Sequence, residues 1–167
     1  ADFFGGSESD ILACRNYLQI PILRKEFIID PYQLVEARSI GADLILLIAA
    51  CLSPQQVDEL AEEAHALGLE VLLELHDEDE LGHVSDKIDL VGINNRSLKT
   101  FDVDIQRSLR MAASLPGSLP KVAESGIDDP AQVSMFRSHG YQAFLIGENF
   151  MKHMEPEKAL KDFINNI

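Results

Sequence analysis

Three ionisable residues stand at the far ends of short apolar runs: Lys25 after Ile20-Pro21-Ile22-Leu23, Glu74 within Leu69 to Leu75, and Glu124 after Lys121-Val122-Ala123. A lysine with two carboxylates can divide acid and base roles, because partial burial and their mutual field separate their proton affinities. The competing reading is an ion-pair network that only satisfies buried charge. A second set, Glu124-Ser125-Gly126 and Ile146-Gly147-Glu148-Asn149, suits an anion. Glycine lets backbone N–H groups approach it, and a short helix start adds its dipole. Two tight turns would give the same pattern, and the Glu148 carboxylate must point away from any phosphate. A third stretch, Gly92 to Phe101, packs Asn94, Asn95 and Arg96 directly behind the apolar run Ile88 to Val91. Polar groups crowded at a strand end are poor core material and good site material.

The elements that position these groups repeat. Ser7 caps a helix from about Glu8 to Tyr17. Asp30-Pro31 opens a helix that runs to Ile40 and closes at Gly41. Ala42 to Ala50 is a continuous apolar run, as expected of a parallel strand buried on both faces. Ser53-Pro54 starts a helix ending at Gly68; strand Leu69 to Leu75 and a short helix around Asp77 to Val84 follow. Strand Leu90 to Asn94, helix Asp104 to Ser114, strand Lys121 to Ala123, a helix from Asp129-Pro130 to Gly140 and strand Ala143 to Ile146 come next. One or two helical turns over Asn149 to Met154 and a last helix from Glu155-Pro156 to Asn165 complete the chain. The unit is strand, polar end, helix, glycine, which means βα repeats with right-handed crossovers.

An open doubly wound sheet and a (β/α)8 barrel both use such repeats. No glycine-rich dinucleotide loop follows a strand, which weakens the first. In a barrel, residues alternate faces along each strand. If Leu23 with Lys25, Leu72 with Glu74 and His76, and Val122 with Glu124 point inward, then Lys25, Glu74 and Glu124 meet at the mouth. A barrel needs about 200 residues or more; six strands are countable here, so two are expected ahead of Phe3. The whole chain reads as one domain.

Composition bounds the function. The 167 residues are 46% hydrophobic and 25% charged, ordinary for a soluble globular chain. No apolar run approaches the roughly 20 residues of a membrane span. The start lacks both a signal-peptide pattern and an initiator methionine, which predicts a fragment or a processed chain. The net charge of −14 disfavours nucleic acid, whose phosphates need a basic face. Cys14 and Cys51 fit no metal or disulfide spacing and read as reduced cytosolic thiols, Cys51 buried. His65, His83, His139 and His153 read as surface residues, and Asp77 to Glu80 as a solvated helix start. Asp43 and Arg38 are expected to pair.

Leu23-Arg24-Lys25-Glu26-Phe27-Ile28-Ile29-Asp30, Gly92 to Phe101, Val122-Ala123-Glu124-Ser125-Gly126-Ile127 and Leu145-Ile146-Gly147-Glu148 together closely resemble the indole-3-glycerol-phosphate synthase family, in order along the chain. The resemblance implies an α/β TIM barrel, here partial with six parallel strands, and a lyase of tryptophan biosynthesis without metal or organic cofactor. The family converts 1-(2-carboxyphenylamino)-1-deoxyribulose 5-phosphate to indole glycerol phosphate, releasing CO2 and water. By resemblance Lys25 is the general acid for ring closure, and Glu74 the carboxylate near the aniline nitrogen, a base in dehydration. Asn94 holds a substrate hydroxyl with Arg96 beside it, and Glu124 sits at the barrel mouth. Ser125, Gly126, Gly147 and the Glu148 backbone form the phosphate cradle. Phe4, Phe27 and Leu46 form the apolar wall for the anthranilate ring. The implied partner is a phosphorylated aromatic small molecule, not nucleic acid or membrane, and the implied location is cytoplasmic.

Two departures accompany the resemblance. The family's first strand, with a glutamate and a lysine in a Ser-Pro-Ser context, has no counterpart here, and neither does its N-terminal helix; Glu148 stands where some members have a small hydroxyl residue. These 167 residues alone are therefore expected to be nearly inactive, and their open sheet edges to drive self-association. A non-catalytic phosphate-binding or assembly module from the same barrel is the alternative. Phosphoribosylanthranilate isomerase, a sister barrel, is disfavoured by the run Leu23 to Phe27.

Overall fold

The structure, a computed structural model, describes residues 6–97 and 102–167. Six parallel strands follow one another in chain order, with helices between them. Sequential parallel order is that of the partial (β/α)8 barrel which the family resemblance implies. The chain divides into two compact units, Ala1–Glu74 with Gly82–Asp89, and Leu75–Leu81 with Leu90–Ile167.

In the first unit, helix α1 (Glu8–Arg15) precedes strand β1 (Leu23–Arg24), helix α2 (Tyr32–Ser39), strand β2 (Leu44–Ile48), helix α3 (Pro54–Ala66) and strand β3 (Glu70–Leu75). The strands pair in register: Leu23 with Leu44, Leu44 with Glu70, Leu46 with Leu72, Ile48 with Glu74. Parallel partners share a face, so the alternation carries straight across the sheet. Arg24, on one face, reaches α2, donating to the Gln33 carbonyl at 2.6 Å and to Glu36 at 3.1 Å. The opposite face carries Leu23, Leu46, Leu72 and Glu74. The β2 core residues Ile45, Leu46 and Leu47 are fully buried, as the unbroken apolar run requires.

In the second unit, strand β4 (Leu90–Asn94) leads through helix α4 (Ile105–Ser114) to strand β5 (Lys121–Glu124), helix α5 (Pro130–Ser138) and strand β6 (Ala143–Leu145). Two further helices follow, α6 (Glu148–Met151) and α7 (Pro156–Ile164). Asn94 pairs with Glu124, and Glu124 with Leu145. Phe144 faces the other way, its ring 6.3 Å from that of Phe136 in α5. Here too one sheet face meets helices while the other carries the polar strand ends. Burial raises the Tyr141 hydroxyl above its ordinary range, and that group donates to the Ser108 carbonyl at 2.8 Å.

The local signals behave as expected where they are strongest. Ser53 accepts the Gln56 N–H while Gln56 Oε1 takes the Ser53 N–H, a reciprocal cap. Gly41, Gly68 and Gly140 close their helices at positive φ.

Four expectations are corrected. β1 ends at Arg24, so Lys25 lies just past the strand. Cys51 is exposed, in a 3-10 turn that follows β2. Asp43 pairs with Arg15 and takes the Ile22 N–H at 2.7 Å, so α1, not Arg38, supplies its cation. His83 is half-buried because its ring bonds the Leu52 carbonyl at 2.9 Å.

Candidate functional site

The chemistry-bearing groups form one constellation in each unit. In the first, Lys25 Nζ lies 3.0 Å from Glu74 Oε2. The carboxylate side chain is 4% exposed and the lysine 36%. A carboxylate so nearly buried needs a charged partner, and breaking such a pair costs about 3–5 kcal/mol. The lysine has one end in this bond and still reaches solvent. Leu46 is fully buried on the same sheet face. Phe27 is half-buried in the loop after β1, and Phe4 lies outside the described residues.

The loop carrying Phe27 is clamped by one side chain. Gln33 donates to the Phe27 carbonyl at 2.8 Å and accepts the N–H groups of Ile29 and Asp30 at 2.8 and 3.0 Å. The second unit repeats this device. Gln132 donates to the Gly126 carbonyl at 3.4 Å and accepts the N–H groups of Asp128 and Asp129 at 2.9 and 3.0 Å. The spacing from glutamine to its three partners is the same in both. Neither glutamine was a candidate from sequence, yet the signal was present: Asp-Pro-x-Gln occurs at 30–33 and again at 129–132.

The second constellation gathers at the ends of β4, β5 and β6. Ser125 (φ 63°) and Gly126 (φ 66°) are consecutive left-handed residues, and Ser125 is the only non-glycine at positive φ among the described residues. A left-handed L-residue costs roughly 1–2 kcal/mol, so the surroundings must impose it. Asn95, fully buried, donates its amide to the Ser125 carbonyl at 2.7 Å. Asn94 turns its side-chain oxygen onto the Arg96 N–H at 3.0 Å. Arg96 in turn pairs with Glu148 at 2.7 Å. The Glu148 carboxylate is thus engaged by a cation, at the start of α6. Glu124 is 1% exposed at the end of β5.

The two glycines in this constellation differ. At Gly126 a Cβ would sit 2.5 Å from Val103 Cγ1, and φ is positive, so packing and backbone both demand glycine. At Gly147 φ is negative and a Cβ would meet nothing within 4 Å. Neither strain nor packing requires glycine there; its missing side chain leaves room in front of the α6 start. A pocket of about 390 Å³ opens here, lined by Arg96, Gly126, Ile127, Glu148, Asn149 and Lys152 among others. Its two cations, Arg96 and Lys152, share it with two acids, Glu148 and Asp128, and cations beside a glycine turn can meet an anionic ligand.

Among the described residues no cluster of three or more His, Cys, Asp or Glu could hold a metal ion, and no helix is long and apolar enough to cross a membrane. His76 is buried, its backbone N–H donating to the Glu80 carboxylate at 2.6 Å.

Comparison with known proteins gives a consistent picture. The family model for indole-3-glycerol phosphate synthase matches residues 1–163. An indole-3-glycerol phosphate synthase of Bacteroides thetaiotaomicron is 52% identical over 165 residues, 99% of this chain and 64% of that protein. One from Acinetobacter baumannii is 47% identical over 161 residues, covering 95% of this chain and 60% of that protein. The chain therefore spans less than two thirds of these relatives. Among solved structures, a tryptophan synthase α-subunit of Pyrococcus furiosus superposes with a TM-score of 0.75 at 18% identity, covering 95% of this chain and 70% of that one. KGPDC from Streptococcus mutans gives 0.71 at 14% identity, covering 97% and 78%. At such identities these two speak for the fold alone.

The contrast between the glycines is testable by urea denaturation. Gly126→Ala is expected to lower stability by about 1–3 kcal/mol through backbone strain and overpacking. Gly147→Ala should stay within about 0.5 kcal/mol of the parent. Equal effects at the two positions would show that the left-handed turn is not tightly packed.

Proposed function

The chain belongs to the indole-3-glycerol phosphate synthase family, and on that premise we propose that its strand-end residues serve the closure of 1-(2-carboxyphenylamino)-1-deoxyribulose 5-phosphate to indole glycerol phosphate. One C–C bond forms between the aryl ring and the ketone carbon, the ring carboxylate leaves as CO2, and the former ketone oxygen leaves as water. The observation that carries this reading is the 3.0 Å pairing of Lys25 with a nearly buried Glu74.

In this proposal the Lys25 ammonium donates its proton to the ketone oxygen as the ring carbon attacks. Loss of CO2 restores the aromatic aryl ring, and Glu74, held beside Lys25, accepts the aniline N–H proton in the dehydration that completes the pyrrole ring. Leu46 and Phe27 give the aryl ring an apolar wall, and Phe4 is assigned to it by family likeness alone. Asn94 orients a hydroxyl of the sugar chain, and Glu124 supplies a second carboxylate at a strand end. Ser125, Gly126, Gly147 and the Glu148 N–H receive the phosphate.

Arg96 is the cation assigned to that phosphate, although in this structure it holds Glu148. The pair is solvent-exposed, and such pairs contribute only about 0–1 kcal/mol. A phosphate dianion can therefore draw the guanidinium away at little expense, since an arginine–phosphate bond is charge-assisted and bidentate. The Glu148 departure is thus compatible with the cradle.

The 167 residues by themselves are proposed to bind this substrate while turning over little of it. A non-catalytic phosphate-binding module is the second reading, favoured by the open pocket at Arg96 and Lys152. Calorimetric titration with the substrate and with inorganic phosphate distinguishes them. A synthase-derived site binds the substrate at least tenfold more tightly; equal affinities would favour the module.

The strand order ends at β1 on one side and β6 on the other. Ile20 and Ile29 are exposed on either side of β1 in the chain. Unpaired parallel edges and bare apolar side chains promote association of copies. Light scattering is expected to show species larger than 18.5 kDa, whereas a stable monomer at high concentration would sink this part of the proposal.

A further inference from the structure

Asn95 is the least exposed polar residue of the second constellation, and sequence reasoning passed over it for its neighbour Asn94. Its bonds tie the end of β4 to the end of β5 and to the start of α4, where Arg107 also donates to its carbonyl at 3.3 Å. The backbone N–H donates to the Glu124 carbonyl at 2.8 Å, and the backbone carbonyl accepts the Asp104 N–H at 2.8 Å. The side-chain amide donates to the Ser125 carbonyl at 2.7 Å. Burying an amide in full is costly unless its bonds are made, and here the side-chain donor goes to the carbonyl of the one strained serine.

The consequence lies on the other side of that peptide. Among the described residues no peptide bond is cis, so each C=O is antiparallel to the N–H of the next residue. With the Ser125 carbonyl drawn inward by Asn95, the Gly126 N–H is turned outward. With the Gly126 carbonyl held by Gln132 at 3.4 Å, the Ile127 N–H is turned outward as well. The following N–H, of Asp128, is already spent on Gln132. Two successive outward N–H groups from a left-handed turn form a concavity for an anion. Gly126 and Ile127 both line the pocket that holds Arg96 and Lys152.

We propose that Asn95 is the positioning residue of the phosphate turn: its grip on the Ser125 carbonyl fixes the Ser125–Gly126 conformation and aims the Gly126 and Ile127 N–H groups at the anion. This rests on the phosphate reading above. It adds Ile127 to the donors and gives Asn95 a role without contact to ligand. Leu is nearly isosteric with Asn and neutral, so Asn95→Leu removes the grip without adding a repelling charge. Tyr141→Phe is the control, because it deletes another buried hydrogen bond in the same unit, to the Ser108 carbonyl at 2.8 Å, away from the turn.

The experiment follows backbone amide resonances of the 15N-labelled 167-residue chain during titration with inorganic phosphate. In the parent, the Gly126 and Ile127 amides are expected to shift together on one saturating curve. Asn95→Leu should weaken that curve at least tenfold, while Tyr141→Phe leaves it at the parent affinity. Parent-like affinity in Asn95→Leu overturns the role of Asn95 and leaves the phosphate reading standing. Equal weakening in both variants overturns it too, because generalised loosening would then suffice. Failure of phosphate to move Gly126 and Ile127 in the parent overturns the phosphate reading itself. Should Asn95→Leu not fold, a crystal structure of the parent with phosphate decides. Phosphate oxygens within hydrogen-bond reach of both N–H groups, with the Asn95–Ser125 bond intact, support the proposal; a flipped Ser125–Gly126 peptide or phosphate bound elsewhere overturns it.

Discussion

In-register parallel pairing is the constraint on which the rest of this structure depends. Because Leu46 stands beside Leu72 and Ile48 beside Glu74, one sheet face in the first unit collects Leu23, Leu46 and Glu74, and Lys25 reaches it from the strand end. The same rule in the second unit places Asn94 beside Glu124 and Glu124 beside Leu145. A slip of one residue in β3 would turn Glu74 toward the helices and leave a buried carboxylate without Lys25, a penalty of several kcal/mol. The apolar pattern that fixes the register thereby fixes the chemistry as well. Helices take the other face: α2 through Arg24 and Glu36, α5 through Phe136 and Phe144.

The two constellations use different physics for one purpose, holding a group where it would not rest unaided. Glu74 is held, nearly buried, against an ammonium at 3.0 Å. Ser125 is kept left-handed by a buried amide at 2.7 Å. The first arrangement suits proton transfer, since donor and acceptor are adjacent before any ligand arrives. The second suits recognition of a fixed negative charge, since N–H groups aimed in advance need no reorganisation. The repeated glutamine clamp, Gln33 after β1 and Gln132 after β5, stiffens the loops that follow these strands. Arg96 differs from both, because its exposed bond to Glu148 is weak enough to exchange.

Much of this was legible in the sequence, and the reasons are local. The strand Leu44–Ile48 announced itself as an unbroken apolar run, and Ser53-Pro54 and Asp129-Pro130 marked helix starts whose caps form as expected. Lys25, Glu74 and the Ser125–Gly126 turn were legible because polar residues at the ends of apolar runs are conspicuous. Asp43 and Asn95 share one physical reason for being illegible. Asp43 finds Arg15 across 28 positions, and Asn95 finds Ser125 across 30. Such bonds leave no periodicity in the chain, and a buried asparagine beside an exposed-looking one cannot be told apart by composition. Cys51 failed for the opposite reason: proximity to an apolar strand suggested burial, but the chain had already turned outward in a 3-10 turn.

In the proposed function the groups at these strand ends recognise a phosphorylated aryl-amino ribulose, with the anion held by the left-handed turn. The most direct measurement is calorimetric: the affinity of the chain for 1-(2-carboxyphenylamino)-1-deoxyribulose 5-phosphate beside its affinity for the same compound without the phosphate. Charge-assisted bonds to an aimed site contribute about 1.5–3 kcal/mol each, so removing the phosphate is expected to weaken binding at least tenfold. Equal affinity for the two compounds would contradict it.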